Sequence, residues 1–395
     1  MNRRQLLVGT GAGLALPSIV RTAHAAAAGM KITGIETDVL RMPAGKPYYD
    51  AIHGFGTEGG GVVLRVLTSS GITGWAYSSF GTIAGGPRVV QTILEQEMKP
   101  VLVGKDPSFP KRIRADLWSA IEYQGVQGVV QFAMAAVDLA LWDIIGKAAG
   151  MPVYKMIGAF RERMPAYAMV GWYYDNDRDL SQYKRAIASA LEEGFRAVKI
   201  KVGRGSLDED VDRIRVAQEL CGKDRRVMVD ANQVFNRNEA LRRGRVYQQM
   251  NCFWFEEPLA PHDRDGFGEL ARELDIRIAT GENEYTKYPF LDLLKKGGVD
   301  VVQPDNRRAG GLTEWMEIAA IADAFGVEVA SHGGGPTNLH MLLAMPNAIY
   351  METGSLKGAG STVEKLRMIN GEILAPESAG MGSELRGDYV AKYKV

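Results

Sequence analysis

From residue 165 onward, apolar runs of strand length recur along the chain with polar and helical stretches between them. The runs are PAYAMV, AVKIKVG, RVMVDAN, CFWFEEP, IRIATGEN, DVVQPD, EVASHG and AIYMET. The segments between them, such as LTEWMEIAAIADAFG at 312–326, place apolar residues at helical spacing. Eight runs alternating with helices predict an α/β fold built on a closed parallel barrel. An open doubly wound sheet is the second choice, and it lacks the glycine fingerprint that such sheets carry.

Residues 30–160 follow a different pattern. Alternation at 31–41 and 62–68 predicts strands, and GVVQFAMAAVDLALWDIIGKAAG at 128–150 predicts a helix that stops at Gly150. Strands followed by helices make an α+β unit ahead of the barrel. Between its strands, KPYYDAIHGFGTEGGG (46–61) is rich in glycine and aromatics, which suits a lid over a site, a plain surface loop being the alternative.

Ahead of both lies a preamble of basic MNRRQ, apolar LLVGTGAGLALPSIV and the small-x-small triplet Ala23-His24-Ala25. This is the order of a secretory leader over residues 1–29, and Arg3-Arg4 before the apolar run resembles a twin-arginine signal. Export after folding, to the periplasm, is the expectation; a start at Met30 would instead leave the protein cytoplasmic. GTGAG at 9–13 mimics a nucleotide loop, but no strand precedes it.

Composition narrows the partners. Lys+Arg and Asp+Glu are 47 each, and without Arg3, Arg4 and Arg21 the balance is −3, so neither nucleic acid nor an anionic membrane is expected. A small molecule remains. Two cysteines, Cys221 and Cys252, make no disulfide framework, and whether they pair is left open.

The chemistry sits where the runs end. Asp230, Glu256 and Glu282 close three consecutive runs at equal separations of 26, about one strand–helix unit. Asp305, His332 and Glu352 close the next three. In a parallel barrel all these ends emerge on one face. Three carboxylates crowded there repel unless a cation neutralises them. Oxygen-only ligands favour magnesium, with manganese second, and the lack of Cys or His among the three argues against zinc.

AVKIKVG carries Lys199 and Lys201 two positions apart, on one face of its strand. Alone, this would be an edge strand facing water. Beside the carboxylates it puts two ammonium groups in the same mouth, each expected to be pushed toward the neutral amine by the other and by a nearby dication. Lys201 is the expected proton acceptor, with Lys199 tuning it and binding a substrate carboxylate. His332, oriented by Asp305, is the second proton carrier. Glu352, kept protonated, would donate a hydrogen bond to substrate. Asn232 and Glu257 lie beside ligands, with Glu257 left out of the metal shell because it points the other way along its strand. Tyr48, His53, Trp172, Tyr173 and Asp175, from the lid and the first barrel loop, are expected at the substrate. Gly333-Gly334-Gly335 gives room around His332, and His262 and His340 are assigned to supporting and packing roles.

Together, Lys199-Ile-Lys201, Val-Asp230-Ala-Asn232, Glu256-Glu257-Pro258, Gly-Glu282-Asn283, Pro-Asp305, Ser-His332 and Glu352 resemble the enolase superfamily, in its mandelate racemase subgroup. The resemblance runs from about residue 30 to 390. It implies a capping domain at 30–160, a modified TIM barrel (β/α)7β at 161–370, a segment at 371–395 returning to the cap, and one Mg²⁺ at Asp230, Glu256 and Glu282. It also implies homo-oligomers and a common step, removal of a carboxylate substrate's α-proton to give an enediolate. That such sites pair a Lys or His base with magnesium is a general statement about the superfamily. Loss of a β-hydroxyl would make the protein an acid-sugar dehydratase, the first choice here. Reprotonation would make it a 2-hydroxy acid racemase or epimerase. A periplasmic carboxylate-binding protein without catalysis is the alternative of another class.

Overall fold

A computed structural model describes residues 29–43, 45–56, 58–80, 85–125, 127–357 and 360–395. Residues 1–28, most of the segment expected to be a leader and with it GTGAG, lie outside the described residues. Eight parallel strands close on themselves: β1 (Arg163–Met169), β2 (Ala197–Lys201), β3 (Arg226–Asp230), β4 (Trp254–Glu256), β5 (Arg277–Thr280), β6 (Val301–Val302), β7 (Glu328–Ala330) and β8 (Ala348–Thr353), with β8 paired to β1. Helices follow β1 to β7. After β8 the chain forms a hairpin whose second arm, Glu372–Leu374, runs antiparallel along β1. The expected (β/α)7β barrel is therefore present.

Alternation explains why charged residues sit on buried strands. Ala197 faces the barrel interior with Tyr167, Met228, Trp254, Ala279, Val301 and Ala330, while Val198, Ile200, Val227, Val229 and Phe255 pack outward against the helices. One pleat further along, the interior positions become Lys199 and Lys201 on β2, Asp230 on β3 and Glu256 on β4. The apolar layer forms the floor and the charged layer forms the mouth. All four charged side chains are buried.

The cap is an antiparallel sheet of Ile32–Met42, Gly59–Thr68 and Thr73–Phe80, covered by the helix Val129–Ala149. That helix is long and apolar enough to cross a membrane, and here most of it is buried within the protein. It ends where expected, with Gly150 in the left-handed region at φ 65°, which costs a residue without a Cβ little. At the other end of the chain, helix Gly387–Tyr393 lies along the first cap strand and the Val395 N–H donates to Val39 O at 3.0 Å.

The 46–61 segment is docked rather than loose. Tyr48–Tyr49 pairs antiparallel both with Gly54–Phe55 and with Tyr173–Tyr174 of the loop after β1, so lid and barrel share a small sheet. Cys221 and Cys252 are free and buried; burial pushes their thiols up to about 11 and about 12, so the pairing left open above is not formed.

Candidate active site

The lysine side of the mouth is a cluster of ion pairs. Lys201 Nζ donates to Asp230 Oδ2 at 2.5 Å, and Lys199 Nζ reaches Glu352 Oε2 at 2.5 Å, Asp230 at 3.5 Å and, closer still, Glu256. Burial alone would strip both ammonium groups of their charge. The surrounding Glu256, Glu352 and Asp230 outweigh it, and hold Lys199 well above its ordinary range and Lys201 above it. Among the protein's own groups carboxylates outnumber the lysines and keep both charged; the drift toward the neutral amine expected beside a dication belongs to the metal-loaded site.

Glu352, too, is ionised among the protein's own groups. Burial would raise its carboxyl, but Lys199 and His332 bring it down to about 2, and it accepts from Tyr167 OH (2.8 Å) and Gly333 N–H (3.0 Å) as well as from Lys199. It accepts from three donors, and the protonated form expected beside a bound dication belongs to the metal-loaded pocket. The Gly333 contact uses a positive φ of 75°, so the glycine run aims an N–H at Glu352 besides giving room.

On the other side, His332 Nδ1 meets Asp305 Oδ2 at 2.7 Å, and His332 Nε2 lies 3.4 Å from Glu282 Oε2. Burial would lower the imidazole's proton affinity; Glu282 and Asp305 outweigh it and raise it. Asp305 and His332 lie just past β6 and β7 and are joined by a backbone bridge that extends the sheet. By the shorter way round the barrel, His332 stands three strands from Lys201.

The expected metal ligands occupy neighbouring strand ends, with Asp230 in register with Glu256 and Glu282 just beyond β5. Their side chains are nevertheless not drawn to one point. Among the described residues no three His, Cys, Asp or Glu form a group able to hold an ion. The reason is electrostatic: the lysines are the nearest cations and take Asp230 and Glu256, while Glu282 turns to His332. The donor set still fits an oxygen-seeking dication. Among the described residues, Asp230, Glu256, Glu257, Glu282 and Glu352 put five carboxylates against Lys199, Lys201 and the raised imidazole of His332. Burial, Asp230, Glu352 and Glu282 together push the Glu256 carboxyl up to about 8 against the pull of Lys199. Asn232 Oδ1 is buried beside Asp230 with no partner, and its residue takes a strained φ of 44°.

The aromatic residues divide. Trp172 lies under Lys201, with Nζ 4.8 Å from the ring centroid, and is boxed by Tyr48 (4.8 Å) and Phe55 (5.1 Å) of the lid. Tyr173, expected at the substrate, instead donates its hydroxyl to Asp210 (3.3 Å), accepts from Arg204 N–H (3.2 Å) and lies under the Arg213 guanidinium. It braces the wall behind β2, and the expectation is corrected. His53 is half-exposed and pairs with Asp50 at 3.0 Å; Asp175 accepts from Tyr49 OH at 3.0 Å. Neither touches the lysine or histidine cluster. Glu257, left out of the metal shell in the sequence reading, accepts from Gln233 (3.2 Å) and Asn283 (2.8 Å).

Sequence reasoning passed over four residues of the site. Gln303 donates to Glu256 Oε2 at 2.7 Å, Tyr167 holds Glu352, and Arg307 and Arg308 grip Asp305. Gln303 had a usable signal, since it precedes Asp305 by two in an extended run and so shares its face.

Comparison with known proteins agrees with this geometry. Residues 35–158 match the mandelate racemase/muconate lactonizing enzyme N-terminal domain, and residues 182–389, more than half of the chain, match the enolase C-terminal domain-like family. The chain belongs to the mandelate racemase/muconate lactonizing enzyme group of the enolase superfamily. It is 32% identical over 351 residues to a 3,6-anhydro-alpha-L-galactonate cycloisomerase of Streptomyces coelicolor, covering 89% of this chain and 96% of the relative. An arabinonate dehydratase of Saccharolobus solfataricus is 32% identical over 84% of this chain and 90% of its own. A racemase from Streptomyces coelicolor, solved with bound magnesium, superposes with a TM-score of 0.85 at 31% identity, over 92% of this chain and all of that one. In this superfamily member the barrel mouth is thus the place to look for chemistry.

Proposed function

We propose that the protein is a magnesium-dependent acid-sugar dehydratase that removes the α-proton of a 2,3-dihydroxy acid and expels its β-hydroxyl, leaving a 2-keto-3-deoxy acid. The observation that carries this is the pair of proton carriers in one mouth, Lys201 against Asp230 and His332 against Asp305 and Glu282. A module that only bound carboxylates would need neither. Asp230, Glu256 and Glu282 would hold magnesium, which supplies the positive charge that a carboxylate requires as its α-C–H bond breaks.

With a dication on Asp230 and Glu256 competing for the carboxylates that now hold its proton, Lys201 Nζ would stand as the free amine and take the α-proton, while Lys199, fixed between Glu256 and Glu352, orients the substrate carboxylate beside it. His332, protonated and steadied at Nδ1 by Asp305, presents Nε2–H to the β-hydroxyl and releases it as water. Asn232 Oδ1, buried and free, is a fourth oxygen for the metal or an acceptor for a substrate hydroxyl. The docked lid, through Tyr48, Phe55 and Trp172, keeps water from the lysine side. Relatives named as dehydratases, on L-talarate/galactarate and D-galactonate besides arabinonate, support the substrate class.

The test is a screen of acid sugars with Mg²⁺ in D₂O, reading 2-keto acid and optical rotation together. Keto acid at a rate matching deuterium uptake is expected. Deuterium in an inverted substrate without loss of water would establish the racemase reading, which the two opposed carriers also allow. The twin-arginine-like leader supports export, and the superfamily supports a homo-oligomer. Cell fractionation with Arg3→Lys/Arg4→Lys should show the protein retained in the cytoplasm, and light scattering should show a mass above one chain.

A further inference from the structure

Asp305 is more heavily held than orienting an imidazole requires. It is the N-cap of the short helix Asn306–Ala309 and accepts the Arg307 N–H at 2.7 Å and the Arg308 N–H at 3.1 Å. The Arg307 side chain then folds back on it, with Nε at 3.0 Å and Nη2 closer. The remaining arm of the same guanidinium crosses to the cap, where Nη1 donates to Ser79 Oγ at 2.6 Å and Ser79 O at 3.1 Å. Ser79 lies near the end of the third cap strand, paired with Gly61. One planar group thus joins the carboxylate behind His332 to the cap sheet. Among the described residues, no hydrogen bond from the cap to His332 itself does this work.

We propose that Arg307 is a positioning residue for the histidine half of the reaction: it locks the Asp305 carboxylate against the cap strand at Ser79, so that the direction of His332 Nε2 depends on cap and barrel being docked. The inference rests on the proton-carrier reading above for its kinetic part and on geometry alone for its structural part. A guanidinium suits the task because its fixed fork can satisfy a carboxylate on one edge and a hydroxyl and carbonyl on the other. Lysine, with one rotatable ammonium, can hold Asp305 or Ser79 but not both in the same geometry. Arg308 contributes differently, reaching the Glu282 backbone oxygen at 3.2 Å.

The experiment compares wild type with Arg307→Gln, Arg307→Lys and Ser79→Ala. α-Proton exchange in D₂O is measured on both C-2 epimers of an acid sugar, one exposing its proton to Lys201 and the other to His332. The expected result is at least a tenfold loss on the His332 face in R307Q with the Lys201 face within twofold. S79A should show a smaller loss of the same asymmetry, and R307K a partial recovery. Equal losses on the two faces would overturn the proposal. A substrate-free arm follows the downfield Nδ1–H resonance of His332, assigned by its loss in His332→Asn; it should shift or broaden in R307Q and S79A, and an unchanged resonance in both overturns the proposal whatever the kinetics. If wild type exchanges neither epimer, the proton-carrier reading fails while the resonance still decides the Arg307 contact. S79A keeps the question answerable if R307Q does not fold.

Discussion

On the lysine side of the mouth, two ammonium groups stand among Asp230, Glu256 and Glu352, whereas on the histidine side two carboxylates, Asp305 and Glu282, stand among Arg307, Arg308 and His332. With every carboxylate ionised the first wall carries a surplus of negative charge, and with His332 protonated the second carries a surplus of positive charge. A hydroxy acid lying between them finds its carboxylate at the side that calls for a dication, and its leaving hydroxyl, which gathers negative charge, at the side already rich in donors. The walls are also braced differently. The lysine wall leans on the lid aromatics and on Asp210 with Tyr173, Tyr247 and Arg243; the histidine wall leans on the cap strand and on Asn338, which donates to Gly333 O at 2.7 Å and His332 O at 3.2 Å.

The largest effects should come from removing one carrier at a time. Lys201→Ala should lower α-proton exchange on its face by about 10²- to 10⁴-fold, the usual contribution of a positioned acid or base. His332→Asn should lower dehydration by a similar factor while the Lys201 face continues to exchange. Exchange by mass spectrometry and keto-acid release, measured on both variants, would break the two-wall description if each variant lost both activities alike.

Much of this division was legible in the sequence, and what was not has a physical reason. The eight runs, the equal 26-residue spacing of Asp230, Glu256 and Glu282, and the shared face of Lys199 and Lys201 all follow from strand period and barrel closure, which are local or repeat properties. The metal-free charge states of Lys199, Lys201 and Glu352 were not legible, because they depend on which opposite charge lies nearest, a sum over four strands that spacing does not give. Tyr173 was misplaced because it adjoins Trp172 in sequence and an extended chain sends neighbours to opposite sides: Trp172 went to Lys201 and Tyr173 to Asp210. Arg307 was invisible because its meaning lies in Ser79, 228 positions away.

The charge surplus on the lysine side predicts the next effect. Millimolar Mg²⁺ should raise the thermal midpoint of wild type, by about 2.7 kcal/mol of stability at a hundred times Kd, and EDTA should remove the gain. Asp230→Asn and Glu282→Gln should each abolish most of that shift without needing substrate. A shift of the same size in both variants would mean the ion binds elsewhere, and the two walls would lose their difference in charge as an explanation.

Acid should test the bracing of the histidine wall. His340, on the same helix as Asn338, is fully buried and accepts the Tyr154 N–H at Nδ1 (3.0 Å); burial lowers its pKa to about 3. The unfolded chain binds a proton near pH 6.5, where the folded one does not, so this group's contribution is intact above that pH and falls as pH drops from about 6.5 toward 3. Between pH 7 and 5 the loss amounts to about 2 kcal/mol. Urea unfolding across that range should show it, and His340→Gln, whatever its own stability, should flatten the slope. An unchanged slope in the variant would place the acid sensitivity in other groups.

The smallest effect expected is also the one that most sharpens the contrast between walls, because it touches the lysine side through the lid alone. Trp172 offers its ring face to Lys201 Nζ at 4.8 Å and is itself edged by Tyr48 and Phe55, so undocking the lid would expose both ring and ammonium to water. An ammonium over an indole is worth about 1 kcal/mol where water still reaches it and more once fully desolvated, so about 1 kcal/mol is the least to expect. Trp172→Leu keeps apolar bulk and removes the quadrupole, so exchange on the Lys201 face should fall by at least roughly fivefold, the factor about 1 kcal/mol implies. The His332 face, braced through Ser79 and Arg307, should change by less than about twofold on the same scale. Equal losses on the two faces would show that the lid serves both carriers by excluding water, and Trp172 would then act as part of a seal rather than as a partner to Lys201.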